Sequence, residues 1–363
     1  YIPQPSQLPA RLHPTQWVGD RATAFIREQR RGEPWYLFSS FIHPHPPFTP
    51  PNPWHKLYRA PLMPLPHVPA DAETLLTYVN RVQNRYKYRD QGLDQNLLRN
   101  MKAFYYACIS FIDYQIGRIL ESLEQTGQLD NTLILFTADH GEYLGDLNCF
   151  GKRSMHDPAA HIPMLVSLPG RFPAGHVCPE PASLVDLAPT FLGAAGTELG
   201  SHPADGVDLA AIATGQTRRE MVFSQLAYTR RANPTAKPAA GPTPPEQAVA
   251  ERAAASTYMA VSRKWKYFYS APDNREFLFD RLHDPAESRN RAGLVFCEPA
   301  RKQMRAALMD HLRAGGETAG IDGENWIAFP PMTIDETPDA GLLVQDMYTP
   351  WAKMELPGYS DVD

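Results

Sequence analysis

The chain has 363 residues, 43% of them hydrophobic and 21% charged, with a formal net charge of −5 at pH 7. That length and apolar content allow a large buried core in one or two domains. Charge is spread without long single-sign blocks, so nothing marks a surface for nucleic acid or a membrane.

Cys108, Cys149, Cys178 and Cys297 form no CxxC pair and indicate neither a disulfide framework nor a zinc site. The longest apolar run, residues 104–112, is far short of the ~18 residues a membrane-spanning helix needs. The first residue is Tyr1 rather than Met, so the sequence is expected to be a processed or truncated product with no visible targeting segment. A periplasmic or secreted location and a cytoplasmic one both stay open.

In chain order, the short apolar runs at residues 35–42 (WYLFSSFI), 132–136 (TLILF) and 163–168 (PMLVSL) predict strands buried on both faces, as in a parallel sheet covered by helices. Between the first two, Phe104, Ala107, Cys108, Phe111, Ile112, Ile116 and Ile119 recur at steps of three and four, predicting a long helix over 97–125 that Gly127 stops. Residues 183–195 predict a second helix, with Ser183 as N-cap and Asp186 in capping-box register. Strands alternating with helices give an α/β fold for residues 1–215.

From about residue 216 the texture changes. MVFSQLAY, STYMAVS, KWKYFYS and REFLFDRL predict a small antiparallel sheet, closed by an amphipathic helix over 298–312, in a subdomain spanning 216–320. Residues 231–250, rich in Pro and Ala, read as an exposed or disordered loop. The irregular tail 321–363 carries Trp326, Phe329, Met347, Tyr348 and Trp351, which predict docking onto the body or a neighbouring copy, with a homo-oligomer as one outcome.

In α/β sheets ligands bind beyond the carboxyl ends of strands. After WYLFSSFI, five prolines between 44 and 51 hold His43 and His45 in what reads as a stiff extended segment. After TLILFTA come Asp139, His140, Gly141 and Glu142, with Gly141 permitting a tight turn, and a short loop later come Lys152 and Arg153. The chemical reading is a site where Asp139 and His140 ligate a divalent cation and Lys152 and His45 contact an anionic tetrahedral group, one of them handling a proton. Each element alone also fits a turn, a helix cap or a solvated side chain.

The whole string narrows this. LILFTADHGEYLGDLNCFGKRSMHDPAAHIPMLVSLPG resembles the DHGE…GK…PG block of the sulfatase family, in the alkaline-phosphatase-like superfamily. EPWYLFSSFIHPHPPFTPP is similar to its PHxP segment and EFLFDRLHDPAESRNRA to its closing segment; with WVGDRATAFIREQ these cover most of residues 17–313 in family order.

The resemblance implies an alkaline-phosphatase-like, mostly parallel sheet between helices, with the smaller antiparallel-sheet subdomain at the C-terminal side. It implies that Asp139 and His140 are metal ligands, that Lys152 contacts the sulfate, and that His45 touches sulfate or leaving group. His43 is a further substrate-binding expectation. Calcium ranks first by analogy, with Mn²⁺ or Mg²⁺ as alternatives because an imidazole ligand suits them better. His161 departs from the family, which usually has Arg there; the position reads as structural.

The family nucleophile is a formylglycine made within a C/S-x-P-x-R motif upstream of PHxP, and an Asp-Asp pair near the N-terminus completes the metal site. Neither is present in place. Cys297 begins CEPAR, which fits the motif letter for letter, but it lies in the closing segment, where Pro299 reads as first-turn residue of the terminal helix and Arg301 as solvated. Both the nucleophile and the Asp-Asp pair are therefore expected in a missing upstream segment. The leading expectation is a hydrolase of sulfate monoesters acting on a small-molecule or saccharide ester. Alternatives are a phosphonate monoester hydrolase or phosphodiesterase of the same superfamily and an inactive fragment or non-catalytic binding protein.

Overall fold

A computed structural model describes residues 3–30, 32–87, 94–197, 200, 205–227 and 245–334, without side chains at 85–87 and 245. Along the chain, α1 (Pro14–Glu28), α2 (Ala72–Leu75), α3 (Tyr78–Lys87) and α4 (Gln95–Gln125) precede β1 (Ile134–Thr137). Then come α5 (Asp157–Ala160), β2 (Met164–Ser167), α6 (Leu187–Ala194), α7 (Leu209–Ala213) and β3 (Met221–Ala227). The chain continues through α8 (Pro245–Ala254), β4 (Ser256–Ser262), β5 (Trp265–Ser270), β6 (Arg275–Asp280), α9 (Glu298–Ala314), β7 (Ile321–Asp322) and β8 (Asn325–Trp326). Two compact units result, one of residues 1–67, 90–137 and 164–176, the other of residues 68–89, 138–163 and 177–363.

In the first unit α1 and α4 pack closely because Gly19 offers no side chain: a Cβ there would stand 2.3 Å from Gln115 Oε1. Ala22 and Ile26 of α1 and Ala107, Phe111 and Ile112 of α4 are buried as the helical spacing predicts. Asp20 pairs with Arg118 at 2.7 Å beside this contact. β1 and β2 occupy two of the expected strands, but they pair antiparallel, Ile134 opposite Ser167, and neither is buried on both faces, Phe136 and Leu165 being exposed. The apolar runs carried no information on direction, which is set by the connection.

The third expected strand, 35–42, is extended but belongs to no ladder among the described residues. Its side chains alternate, with Tyr36, Phe38, Ser40 and Ile42 exposed and Trp35, Leu37, Ser39 and Phe41 half-buried. The strand pattern is therefore present without a ladder among the described residues, since a ladder needs a partner strand in register.

The second unit is built on the antiparallel sheet β3-β4-β5-β6. Period-two alternation sends Met259, Val261, Phe268, Phe277 and Phe279 to one face, where Leu75, Tyr143, Cys149, Met155 and Ala159 cover them. Tyr258, Ala260, Tyr267 and Leu278 face the other way onto Met304, Leu308 and Leu312 of α9. The capping box at Ser183 and Asp186 is formed, opening a 3-10 turn that runs into α6. Residues 245–250, expected within the loop 231–250, instead begin α8, since Glu246, Gln247, Ala248, Glu251 and Arg252 are good helix formers once past the prolines. The rest of that insertion, from 231 to 244, lies outside the described residues, as do Met347, Tyr348 and Trp351. Trp326 stacks on Tyr269 with ring centroids 4.4 Å apart.

Candidate active site

β1 ends at Thr137 in the first unit, and the second unit takes over with residues 138–163. There His140 N donates to Asp139 Oδ1 at 2.9 Å, and the ring Nδ1 lies 2.8 Å from Gly141 O. A carbonyl oxygen can only accept, so Nδ1 carries a proton, and the ring presents an Nε2 lone pair whenever Nε2 carries none. That Nε2 is 3.2 Å from Asp139 Oδ2. Two acceptors facing each other at this distance repel unless a cation or proton sits between them, and ~3 Å is the spacing of neighbouring ligands on one divalent ion with bonds of ~2.1 Å. The pair thus fits two positions of a metal shell, its ring held by a backbone carbonyl in the manner usual for metal-bound histidines. Asp139 is 82% exposed and His140 32%. Among the described residues no group of three or more His, Cys, Asp or Glu converges on a metal position.

Lys152 is brought to the same loop by Glu142, whose Oε1 accepts from Gly151 N at 2.5 Å and from Leu144 N at 3.3 Å. Tyr143 N donates to Gly151 O at 3.1 Å, closing the loop on itself. Lys152 is half-buried at its exit. Behind it, Tyr143 Oη lies 2.7 Å from His156 Nδ1, and Ser154 Oγ 2.9 Å from the same nitrogen, while Asn80 donates to Tyr143 Oη at 3.1 Å. Burial, with the Lys266 charge adding to it, depresses His156 to about 3. Glu142, Tyr143 and His156 had no role assigned from sequence, although Glu142 is itself the E of the DHGE letters and the other two lie inside the same block.

His43 and His45 lie in the first unit. Their segment is a turn rather than extended, with His45 N donating to Ile42 O at 3.0 Å. Closely spaced prolines restrict each φ but leave a turn open. His45 is exposed, and its Nδ1 lies 2.7 Å from Pro46 O, so Nδ1 carries the proton and Nε2 remains for a ligand. His43 is packed inward, its ring 4.7 Å from that of His13 and its Nδ1 3.5 Å from Thr15 Oγ1. Burial first, and then the neighbouring His13, lower His43 to about 4. His13 itself caps α1, Nδ1 accepting from Thr15 N at 3.2 Å.

Cys297 is buried in the core under α9, with Pro299 in the first turn of that helix. Arg301, expected in solvent, instead donates to Glu276 at 2.9 Å. His161 is 66% exposed, 3.8 Å from Asp157. No helix among the described residues is long and apolar enough to cross a membrane.

The sulfatase family model matches residues 4–197. An arylsulfatase of Clostridium perfringens is 26% identical over 92% of this chain and 64% of its own length. A choline-sulfatase of Rhizobium meliloti is 31% identical over 73% of this chain and 47% of its own. The solved phosphonate monoester hydrolase of Silicibacter pomeroyi superimposes with a TM-score of 0.72 at 27% identity, over 88% of this chain and 63% of that one. The fold is thus alkaline-phosphatase-like α/β, and the chain spans less than two thirds of the length of these relatives.

Proposed function

The chain belongs to the sulfatase family, and from that premise we propose that the protein it comes from hydrolyses a sulfate monoester of a small molecule or saccharide. The observation that carries this is the Asp139 and His140 pair, Oδ2 and Nε2 facing at 3.2 Å with Nδ1 tied to Gly141 O. These two side chains would hold a divalent cation, calcium first with Mn²⁺ or Mg²⁺ as alternatives. The cation would offset charge on the ester oxygens, and a formylglycine supplied outside these 363 residues would provide the attacking oxygen.

This chain's own residues do the rest. Lys152 sets its ammonium against the non-bridging sulfate oxygens, and the Glu142 to Gly151 bond keeps its backbone in place. His45, with Nδ1–H held by Pro46 O, turns Nε2 toward the ester, and only as the doubly protonated imidazolium does its Nε2–H donate to a sulfate oxygen or pass its proton to the leaving oxygen. His43, neutral and packed on His13, binds substrate as an uncharged wall of the same turn.

A second reading, a phosphonate monoester hydrolase or phosphodiesterase, is favoured by the overlap with the Silicibacter pomeroyi enzyme. The parent protein, purified with each metal, is assayed on a nitrophenyl sulfate and on the matching phosphonate monoester and phosphodiester. Higher kcat/KM on the sulfate supports the proposal, higher kcat/KM on a phosphorus ester supports the second reading, and no turnover of any overturns both.

A further inference from the structure

The Asp139–His140 turn follows β1 without a ladder of its own, so something else must fix it. Gly141 donates its amide to Ala159 O at 2.8 Å, and a Cβ at Gly141 would stand 2.1 Å from Pro158 O. The turn therefore sits directly on the backbone of α5. Four residues are too few for a helix to hold its own conformation or place, so α5 needs an outside anchor.

That anchor is at its first residue. Asp157 Oδ1 lies 2.6 Å from Nζ of Lys266 on β5, and the Asp157 amide donates to Glu287 Oε2 at 2.7 Å. Lys266 is fully buried and has Glu287 Oε1 2.7 Å from the same ammonium. A buried ammonium is tolerated only when opposite charges face it, and such a group adds little stability over an apolar replacement. Its consequence is geometric, because one cation binds a strand of the sheet, the start of α5 and the loop after β6 to a single point.

We propose that Asp157, Lys266 and Glu287 are positioning residues, a buried clamp through which the antiparallel sheet sets the place of the Asp139–His140 turn. Contact runs without a gap from Lys266 to Asp157, along α5 to Pro158 and Ala159, and from these to Gly141, next to His140. The consequence for catalysis rests on the reading of Asp139 and His140 as metal ligands; the mechanical link does not.

Asp157→Ala removes the side-chain link from α5 to Lys266, leaving Lys266 paired with Glu287 and only the residue-157 amide bond to Glu287 holding α5, and Asp157→Asn is the milder second variant should the first fail to fold. Amide hydrogen exchange is followed at Gly141 and at β5 and β6, and the dissociation constant for Mn²⁺ is measured in the parent protein. Protection at Gly141 should fall about tenfold or more while the sheet amides keep theirs, with Mn²⁺ affinity about tenfold weaker. Glu276→Gln, on the same sheet but paired with Arg301, should leave Gly141 protection as it was. Unchanged protection at Gly141 in both Asp157 variants, or a loss shared equally by the sheet, overturns the clamp. An unsubstituted protein that binds none of Ca²⁺, Mn²⁺ and Mg²⁺ overturns the metal-ligand reading instead, and the exchange data still decide the clamp.

Discussion

Glu142 Oε1 accepts the amide of Gly151 at 2.5 Å, so the acid of the first motif holds the residue that precedes Lys152. This ties two stretches that look independent in sequence into one loop. Glu142→Ala would leave the buried Gly151 amide without this acceptor, which costs about 1–3 kcal/mol. Thermal unfolding should show that loss. With Lys152 no longer held, kcat/KM on the sulfate should fall by roughly 10²-fold, mostly through the reaction rather than folding.

Gly141→Ala tests the close approach to α5. The added Cβ meets Pro158 O, a backbone atom that cannot swing away, so the turn must shift. Overpacking of this kind costs about 1–3 kcal/mol, read from denaturant unfolding, and Mn²⁺ binding should weaken with it. Affinity and stability both unchanged would mean the turn is not seated on α5.

Cys297→Ala separates the two possible nucleophile locations. The side chain is buried against Met304 and Leu308, so its loss should cost about 1 kcal/mol while turnover by the parent protein stays the same. Abolished turnover in a folded variant would return CEPAR to consideration.

Opposing titrations in the second unit predict its pH response. His156 is lowered to about 3 from an ordinary 6.5, chiefly by burial, so the unfolded chain takes its proton first; its contribution is complete above pH 6.5 and is lost as pH falls toward 3. Glu287 is raised by burial to about 7 from 4.5, so its contribution is complete below pH 4.5 and is lost as pH rises through 7. Between 4.5 and 6.5 the two oppose each other. Glu287→Gln should remove the loss on the rising side, a gain at pH 8 relative to pH 4.5 of at most roughly 3 kcal/mol by chemical denaturation at each pH. A variant whose stability follows the same pH curve as the parent would contradict the raised carboxyl.

Much of this was legible in the sequence because it is local. The three- and four-residue recurrence of α4, the Ser183 and Asp186 capping box and the alternation in STYMAVS each show within one segment. Asp139 and His140 stood out in the sequence because an apolar run ends just before them. The antiparallel pairing of β1 with β2 was not, since apolar composition is the same in either direction. Nor was the ladderless state of 35–42, which depends on neighbours rather than on its own residues. The Lys266 clamp joins residues 109 positions apart, and the one hint was a lysine inside an apolar strand where only a paired charge can be buried. Residue spacing also missed that His43 turns inward onto His13 while His45, two residues on, faces outward.

The central claim is that Asp139 and His140 hold the catalytic cation, and Asp139→Ala in the parent protein tests it most directly. The carboxylate is 82% exposed, so the variant should unfold at the parent's temperature. The account predicts weakened metal binding and sulfate turnover reduced by about 10³-fold or more. Turnover and metal affinity equal to the parent's would contradict it.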